Sequence, residues 1–221
     1  MPYEFWLDDI EVIRTQRGIA AILTEAQFEQ IFPRRDEIYT YDGLVEAANG
    51  FPAFANTGTL VQKRREVAAF LANVGRETSG LKYIRELEPG PYCNLDWWYG
   101  CPAGTANYYG RGALQLSWNY NYKFAGDDLG VDLLGNPDLV ATDPLLVWQT
   151  AVWFWQVTAP RAPLTPHDAM VEGQGFGKTI EIINGDQECQ GRYPEAVGER
   201  VNRYWSYCLM LGVDPGGNVG C

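Results

Sequence analysis

This chain of 221 residues holds a single histidine, His167, and none of its five cysteines forms a Cys-x-x-Cys pair. Ligands for a structural zinc site are therefore too few. Positive charge is scarce as well: 17 Lys and Arg face 28 Asp and Glu, for a formal net charge of −11. That balance repels a polyanion, which argues against nucleic acid as a partner and against simple electrostatic adsorption on anionic cell walls. A neutral polymer fits better. No apolar run approaches the length of a membrane span, and no basic-then-apolar leader follows Met1. Internal repeats, low-complexity tracts and abrupt shifts of composition are missing too, so residues 1–221 read as one domain.

What is present is apolar and aromatic. Hydrophobic residues make up 46%, with 8 Trp and 13 Tyr, enough for a substantial core and for rings that stack on sugars. Cys93 and Cys101 enclose a short loop rich in Trp, Tyr, Gly and Pro, and a bond from Cys189 to Cys221 would fasten the C-terminus. Cys208, in the apolar run Trp-Ser-Tyr-Cys-Leu-Met-Leu, is left over as a buried thiol. Two disulfides favour an extracellular or periplasmic destination. Helical patterns dominate, at 25–31, 41–49, 62–79, 119–129, 143–155, 172–184 and 194–211. Between them, 87–106 is a long irregular loop and 160–166 is linker-like. The expected fold class is mainly α, one unit with long loops around a cleft.

Two carboxylates stand out. Glu77 lies at the C-terminal end of the 62–79 pattern, where Val67, Leu71, Val74 and Thr78 form an apolar stripe. At about 100° per residue, Glu77 falls on the flank of that stripe near the line of Phe70, a partly desolvated position. Glu86 follows across Gly80, which suits the left-handed residue that closes a helix. A half-buried acid beside a solvated base is the pair that glycoside hydrolysis requires. Taken singly, a glutamate at a helix end is more often an ordinary surface residue.

Residues 108–122 read Tyr-Tyr-Gly-Arg-Gly-Ala-Leu-Gln-Leu-Ser-Trp-Asn-Tyr-Asn-Tyr, with two glycines bracketing Arg111 and then amides alternating with rings. Such a stretch is either a surface that grips a sugar or a buried hairpin whose polar groups are satisfied internally. Four further blocks accompany it: Phe-Leu-Ala-Asn-Val-Gly-Arg-Glu-Thr (70–78), Gly-Val-Asp-Leu-Leu-Gly-Asn-Pro-Asp-Leu-Val (130–140), Ala-Val-Trp-Phe-Trp (151–155) and Ile-Ile-Asn-Gly-Asp-Gln-Glu-Cys (182–189). Together they resemble the signature blocks of the family 19 chitinases. The likeness runs from about Glu66 to Cys221, and the first sixty residues fit the family less visibly. The short spacing from Glu77 to Glu86 is similar to that of compact bacterial members rather than plant ones.

The resemblance implies a mostly helical, two-lobed, lysozyme-like fold and an endochitinase that inverts configuration at β-1,4-linked N-acetylglucosamine. Glu77 matches the general acid, Glu86 the general base, and Ser117 the hydroxyl that helps hold the attacking water. Arg200 and Glu188 match an ionic pair behind the acid. Thr78, Tyr99, Gln115, Trp118, Tyr120, Asn121, Ile183 and Asn184 match sugar-contacting positions. Inversion calls for carboxyl groups roughly 6.5–9.5 Å apart, with room for a water between them. The family implies no metal or other cofactor, chitin or its oligosaccharides as partner, a monomer that binds neither nucleic acid nor membrane, and secretion.

One departure matters: Arg76 stands where the family usually has histidine, immediately before the acid. Either this permanent cation disturbs Glu77 and the sugar beside it, or it reaches out to solvent. Two rivals to the chitinase reading follow. One is a cell-wall lytic enzyme that cleaves peptidoglycan, against which the acidic charge weighs. The other is a chitin-binding homologue that lost catalysis, with Arg76 as the lesion. Retention of Glu77, Glu86, Ser117, Glu188 and Arg200 argues against the second.

Overall fold

A computed structural model of the chain describes residues 17–157 and 164–221, so the stretch read as a linker lies partly outside the described residues. Among the described residues eight α-helices follow one another: α1 (Glu25–Ile31), α2 (Tyr41–Asn49), α3 (Leu60–Glu77), α4 (Asn119–Leu129), α5 (Leu146–Gln156), α6 (Pro166–Val171), α7 (Phe176–Glu188) and α8 (Pro194–Met210). Local chemistry sets where several of them start. Thr24, Thr59 and Thr165 cap α1, α3 and α6, each accepting from the third backbone N–H of its helix while the side chain there reaches back to the threonine. Strand pairing among the described residues is limited to two isolated antiparallel bridges, Arg85 with Arg111 and Arg111 with Leu116.

The third helix is the centre of the molecule. Every residue from Glu66 to Gly75 is buried, so α3 carries no single apolar stripe but is enclosed on all sides. It packs against α6, α7 and α8. Two apolar cores result. The larger holds Phe28, Phe54, Phe70, Phe176 and Tyr204, and the smaller holds Tyr108, Leu116, Tyr122, Leu133 and Val140. Between them runs α5, which sends Trp148 and Trp155 into the first core and Trp153 into the second. Burying one such ring is worth on the order of 2–3 kcal/mol, so α5 ties the two lobes firmly.

Three element boundaries differ from the sequence patterns. Asp143 does not cap α5 directly: its Oδ1 accepts from the N–H groups of Leu145 and Leu146, 2.8 and 2.9 Å, and holds a turn in front of the helix. Pro166 belongs to a helix rather than a linker, because Thr165 caps it and proline suits the first turn. The pattern at 172–184 moves to α7, since Gly173 and Gly175 at φ 77° and 91° break the chain there.

Both disulfides form as expected, Cys93–Cys101 and Cys189–Cys221, and Cys208 is buried and free. Burial pushes the Cys208 thiol up to about 11, which leaves it unreactive at neutral pH. The C-terminal strap lies tightly on α7. The Gly177 N–H donates to Asn218 O at 2.7 Å, and a Cβ at Gly177 would meet Gly220 O at 1.9 Å. The Cys93–Cys101 loop is clamped from α4 instead: Asn119 Nδ2 donates to Asn94 O and Gly100 O, and Asn119 Oδ1 accepts from Asn94 N, all at 2.9 Å.

Candidate active site

Helix α3 ends at Glu77, and the chain then turns sharply. Ser79, Gly80 and Leu81 all take left-handed conformations, at φ 52°, 81° and 62°. Glycine adopts these angles freely, but the serine and the leucine pay about 1–3 kcal/mol each. Thr78 makes the turn possible. Its hydroxyl donates to Val74 O and accepts from Leu81 N, both at 2.7 Å, and the residue is fully buried. The sugar contact expected of Thr78 is therefore corrected: its hydroxyl is consumed inside the backbone turn, beneath the cleft.

The Glu77 side chain is 18% exposed and opens into a cleft of about 720 Å³. Behind it lies Arg200, almost wholly buried. Arg200 Nη2 donates to Glu77 Oε1 and to Glu188 Oε1, and Nε donates to Glu188 Oε2, the last two at 2.7 Å. Asn184 Nδ2 adds a bond to Glu188 Oε1 at 2.9 Å. Burial alone would raise the Glu188 carboxyl, but hydrogen bonds and charge from Arg200, with Asn184 and the Arg76 cation, hold it below the usual carboxylate range. Burial would also lower Arg200, and its two carboxylate partners more than offset that, so it stays charged.

Glu86 approaches the same cleft from the smaller lobe. Its N–H donates to Gly110 O at 2.9 Å, and the Gly110 N–H returns a bond to Glu86 Oε2 at 3.0 Å. Tyr92 donates its hydroxyl to Glu86 Oε1 at 2.6 Å. Burial, then the bond to Glu86 and its charge, push Tyr92 up to about 12, so that it remains a donor. The sequence reading made Glu86 the solvated partner of a half-buried Glu77. Here both are half-buried, and the contrast lies in their partners: a buried cation for one, neutral donors for the other.

Of the remaining expected residues, Gln115, Ser117, Trp118, Asn121, Ile183 and Asn184 line the cleft. Gln115 and Trp118 sit at φ 50° and 74°, a second pair of left-handed side chains at this site. Ser117 Oγ donates to Gln115 O at 2.8 Å, and Asn121 Nδ2 donates to Ser117 O at 2.9 Å. Among the described residues, Asn121 Oδ1 is buried without a partner. The stretch 108–122 thus follows both of its readings, with Arg111 and Ala113 buried while Gln115, Ser117 and Trp118 face the cleft.

Tyr99 and Tyr120 stand outside the cleft lining. Tyr120 stacks on Trp118 at 5.8 Å between ring centres, Tyr99 on Trp97 at 5.7 Å, and Trp97 meets Tyr120 at 6.2 Å. These rings form one aromatic cluster joined to Trp118. Glu188 and Arg200 lie beneath the floor rather than on it. Arg76 lines the cleft with its Nε 3.1 Å from Glu199 Oε2, so it neither reaches free into solvent nor stands unpaired. Sequence reasoning missed Tyr92 and the backbone of Gly110. Nothing in a Gly/Pro-rich loop distinguishes one tyrosine that folds back onto a carboxylate.

A class I chitinase family model matches residues 22–221. Chitinase 6 of Oryza sativa subsp. japonica is 44% identical over 214 residues, covering 92% of this chain and 76% of that protein. Among solved structures, a bacterial family 19 chitinase shares 52% identity and a TM-score of 0.86 over 90% of this chain and 100% of its own. Chitinase C of Streptomyces griseus shares 49% identity and a TM-score of 0.88 over 93% and 99%. The similarity begins well before Glu66, where the motifs alone had placed its start.

Proposed function

The chain belongs to the class I chitinases of glycoside hydrolase family 19 and is an endochitinase, and we propose that Glu77 and Glu86 carry its reaction as one inverting displacement. The observation that supports this most is the convergence of the two carboxylates on one cleft from different lobes, each already oriented by its own partners.

Chitin is a polymer of β-1,4-linked N-acetylglucosamine. With a chain in the cleft, Glu77 donates its proton to the glycosidic oxygen as the bond to the anomeric carbon breaks. Glu86 takes a proton from a water held near Ser117, and that water attacks from the opposite face. The developing positive charge at the sugar is flanked by carboxylate, and Arg200 receives the charge left on Glu77. The new sugar end carries the α configuration. Gln115, Trp118, Asn121, Ile183 and Asn184 supply the wall against which the sugars lie, and a sugar N–H or O–H donor would satisfy the buried Asn121 Oδ1. Tyr99 and Tyr120, stacked in the cluster beside Trp118, extend that aromatic surface for the sugar chain.

Arg76 does not disable this arrangement, because Glu199 faces its charge. Arg85, the other arginine of the cleft, is likewise paired with Asp138 at 2.8 Å. Neither is left over for an anionic wall polymer, which favours neutral chitin over peptidoglycan. The same reading takes residues 1–221 as one catalytic domain that works as a monomer outside the cell, where its disulfides persist. Among the described residues no helix is long and apolar enough to cross a membrane. The test is Glu77→Gln with chitin oligosaccharides: kcat falls by about 10²–10⁴-fold while binding persists, and NMR of the parent reaction shows the α-anomer first. Full turnover in the variant, or initial β-anomer, would overturn the assignment.

A further inference from the structure

The hydrogen bonds of Arg200 extend beyond the two carboxylates. Its Nη1 donates to Asn73 Oδ1 at 3.0 Å, and Asn73 is completely buried. The orientation of that amide is fixed by what lies on its other side. Asn73 Nδ2 donates to Ala69 O and to Thr179 Oγ1, both at 3.0 Å. Thr179 in turn gives its hydroxyl proton to Phe176 O at 2.7 Å, so it offers Asn73 only lone pairs. A flipped amide would set NH₂ against the guanidinium and a carbonyl against the Ala69 carbonyl. Only one orientation satisfies every group, and a fully satisfied buried network is rigid.

Asn73 lies one helical turn before Glu77 on α3, so the acid and this amide share one helix face. We propose that Asn73, held by Thr179, is a positioning residue for the general acid: it sets the plane of Arg200 so that Nη2 meets Glu77 while Nε and Nη2 stay on Glu188. A guanidinium is flat, and partners on three of its edges leave no rotation free. An amide is suited to this task because it is neutral. It orients the fork without competing for its charge, which remains divided between Glu77 and Glu188. With Nη1 left unpaired in the interior, the fork would turn in search of another acceptor and carry the Glu77 contact with it. The inference rests on Glu77 being the acid.

Asn73→Asp keeps the shape and adds a third carboxylate to Arg200. Its expected effect is a fall in kcat on the order of 10- to 100-fold, as for other residues that act through a ligating partner, with KM for chitin oligosaccharides little changed. The high-pH limb of the kcat profile moves upward, because less of the guanidinium's charge then serves Glu77. A merely structural lesion lowers the whole profile and leaves its limbs in place. Thr179→Val, which removes one of the two acceptors that hold the amide and leaves Ala69 O, lowers kcat in the same direction by less, and Thr179→Ser restores it. Should Asn73→Asp fail to fold, the Thr179 pair decides the matter alone. Parental kcat in Asn73→Asp, a drop with unmoved limbs, or identical behaviour of Thr179→Val and Thr179→Ser would overturn the inference. Glu77→Gln is assayed alongside: retained turnover there sinks the acid assignment and this inference with it, whereas an inactive Glu77→Gln beside an unaffected Asn73→Asp sinks only the role of Asn73.

Discussion

The two ends of α3 each place a glutamate against a buried basic side chain, and only one of them faces a cleft. Glu66 is completely buried. Its Oε1 accepts from Trp155 Nε1 at 3.1 Å and meets His167 Nδ1 at 2.5 Å, while Oε2 accepts from the Ala55 N–H at 2.9 Å. Both oxygens are closed off, and the pair joins α3 to α5, α6 and the loop before α3. Glu77 meets Arg200 through Oε1 and remains 18% exposed toward the cleft that Glu86 shares. Burial and a basic partner therefore do not set the proposed catalytic carboxylate apart from the structural one. Access to solvent on one side, and a second carboxylate across it, do.

The sharpest way to break this comparison is to remove the same charge at both ends. Glu77→Gln is expected to lower kcat on chitin oligosaccharides by about 10²–10⁴-fold, the range for loss of a general acid, while the thermal midpoint changes little. Glu66→Gln should do the reverse. Removing one member of a buried pair costs about 3 kcal/mol, or roughly 6–12 °C for a domain of this size, while kcat per folded molecule is retained. If calorimetry and assay gave the two variants the same signature, the division into a sealed end and an open end would fail.

A smaller effect separates the ends by pH. Burial alone would lower His167, but its hydrogen bond to Glu66, with the charges of Glu66 and Asp168, raises it above the ordinary histidine value. A group raised on folding contributes stability that is fully present below its unfolded value, near 6.5, and is lost as pH rises through the raised value. The difference in thermal midpoint between the parent and His167→Gln is therefore expected to be greatest in mild acid and to narrow above neutrality. A gap that widens with pH would show that His167 is neutral in the fold and that the Glu66 end is held by other bonds.

How much of this was legible beforehand differs between the two ends. The Glu77 end is the more readable because its residues sit in contiguous motifs: Glu77 and Ser117 line one cleft, and Arg200 joins Glu77 to Glu188 beneath it. The helix start at Thr24 was readable too, since a cap and its partner lie three residues apart, whereas the pattern from 62 began two residues after the start that Thr59 caps. The Glu66 end was opaque. His167 lies 101 positions from Glu66, in a helix announced only by Thr165 and Pro166, and no local pattern links the two. Thr78 misled for the opposite reason: it neighbours the acid in the motif, yet the left-handed turn after α3 draws its hydroxyl inward. Tyr92 depends on how the Cys93–Cys101 loop folds back, which Asn119 decides from a distant helix.

The finest test of the open end concerns Arg76, the neighbour of the proposed acid. Its side chain is 27% exposed and that of Glu199 is 62% exposed, so the pair is an open one in which water and salt screen much of the attraction. The two are close without being aligned for a hydrogen bond. Such pairs contribute about 0–1 kcal/mol to stability, so Arg76→Gln should leave the fold intact, and its expected change in kcat/KM is within about fivefold. The remaining influence of Arg76 is its charge on Glu188, one of several that hold that carboxylate low. Because Arg200 touches Glu188 directly and Arg76 acts only from a distance, removing Arg76 should leave the ion pair behind the acid intact. Salt should shrink the effect further. A loss or gain well beyond fivefold, insensitive to ionic strength, would mean that Arg76 acts on the sugar or on Glu77 itself, and that the open end of α3 holds two working cations rather than one.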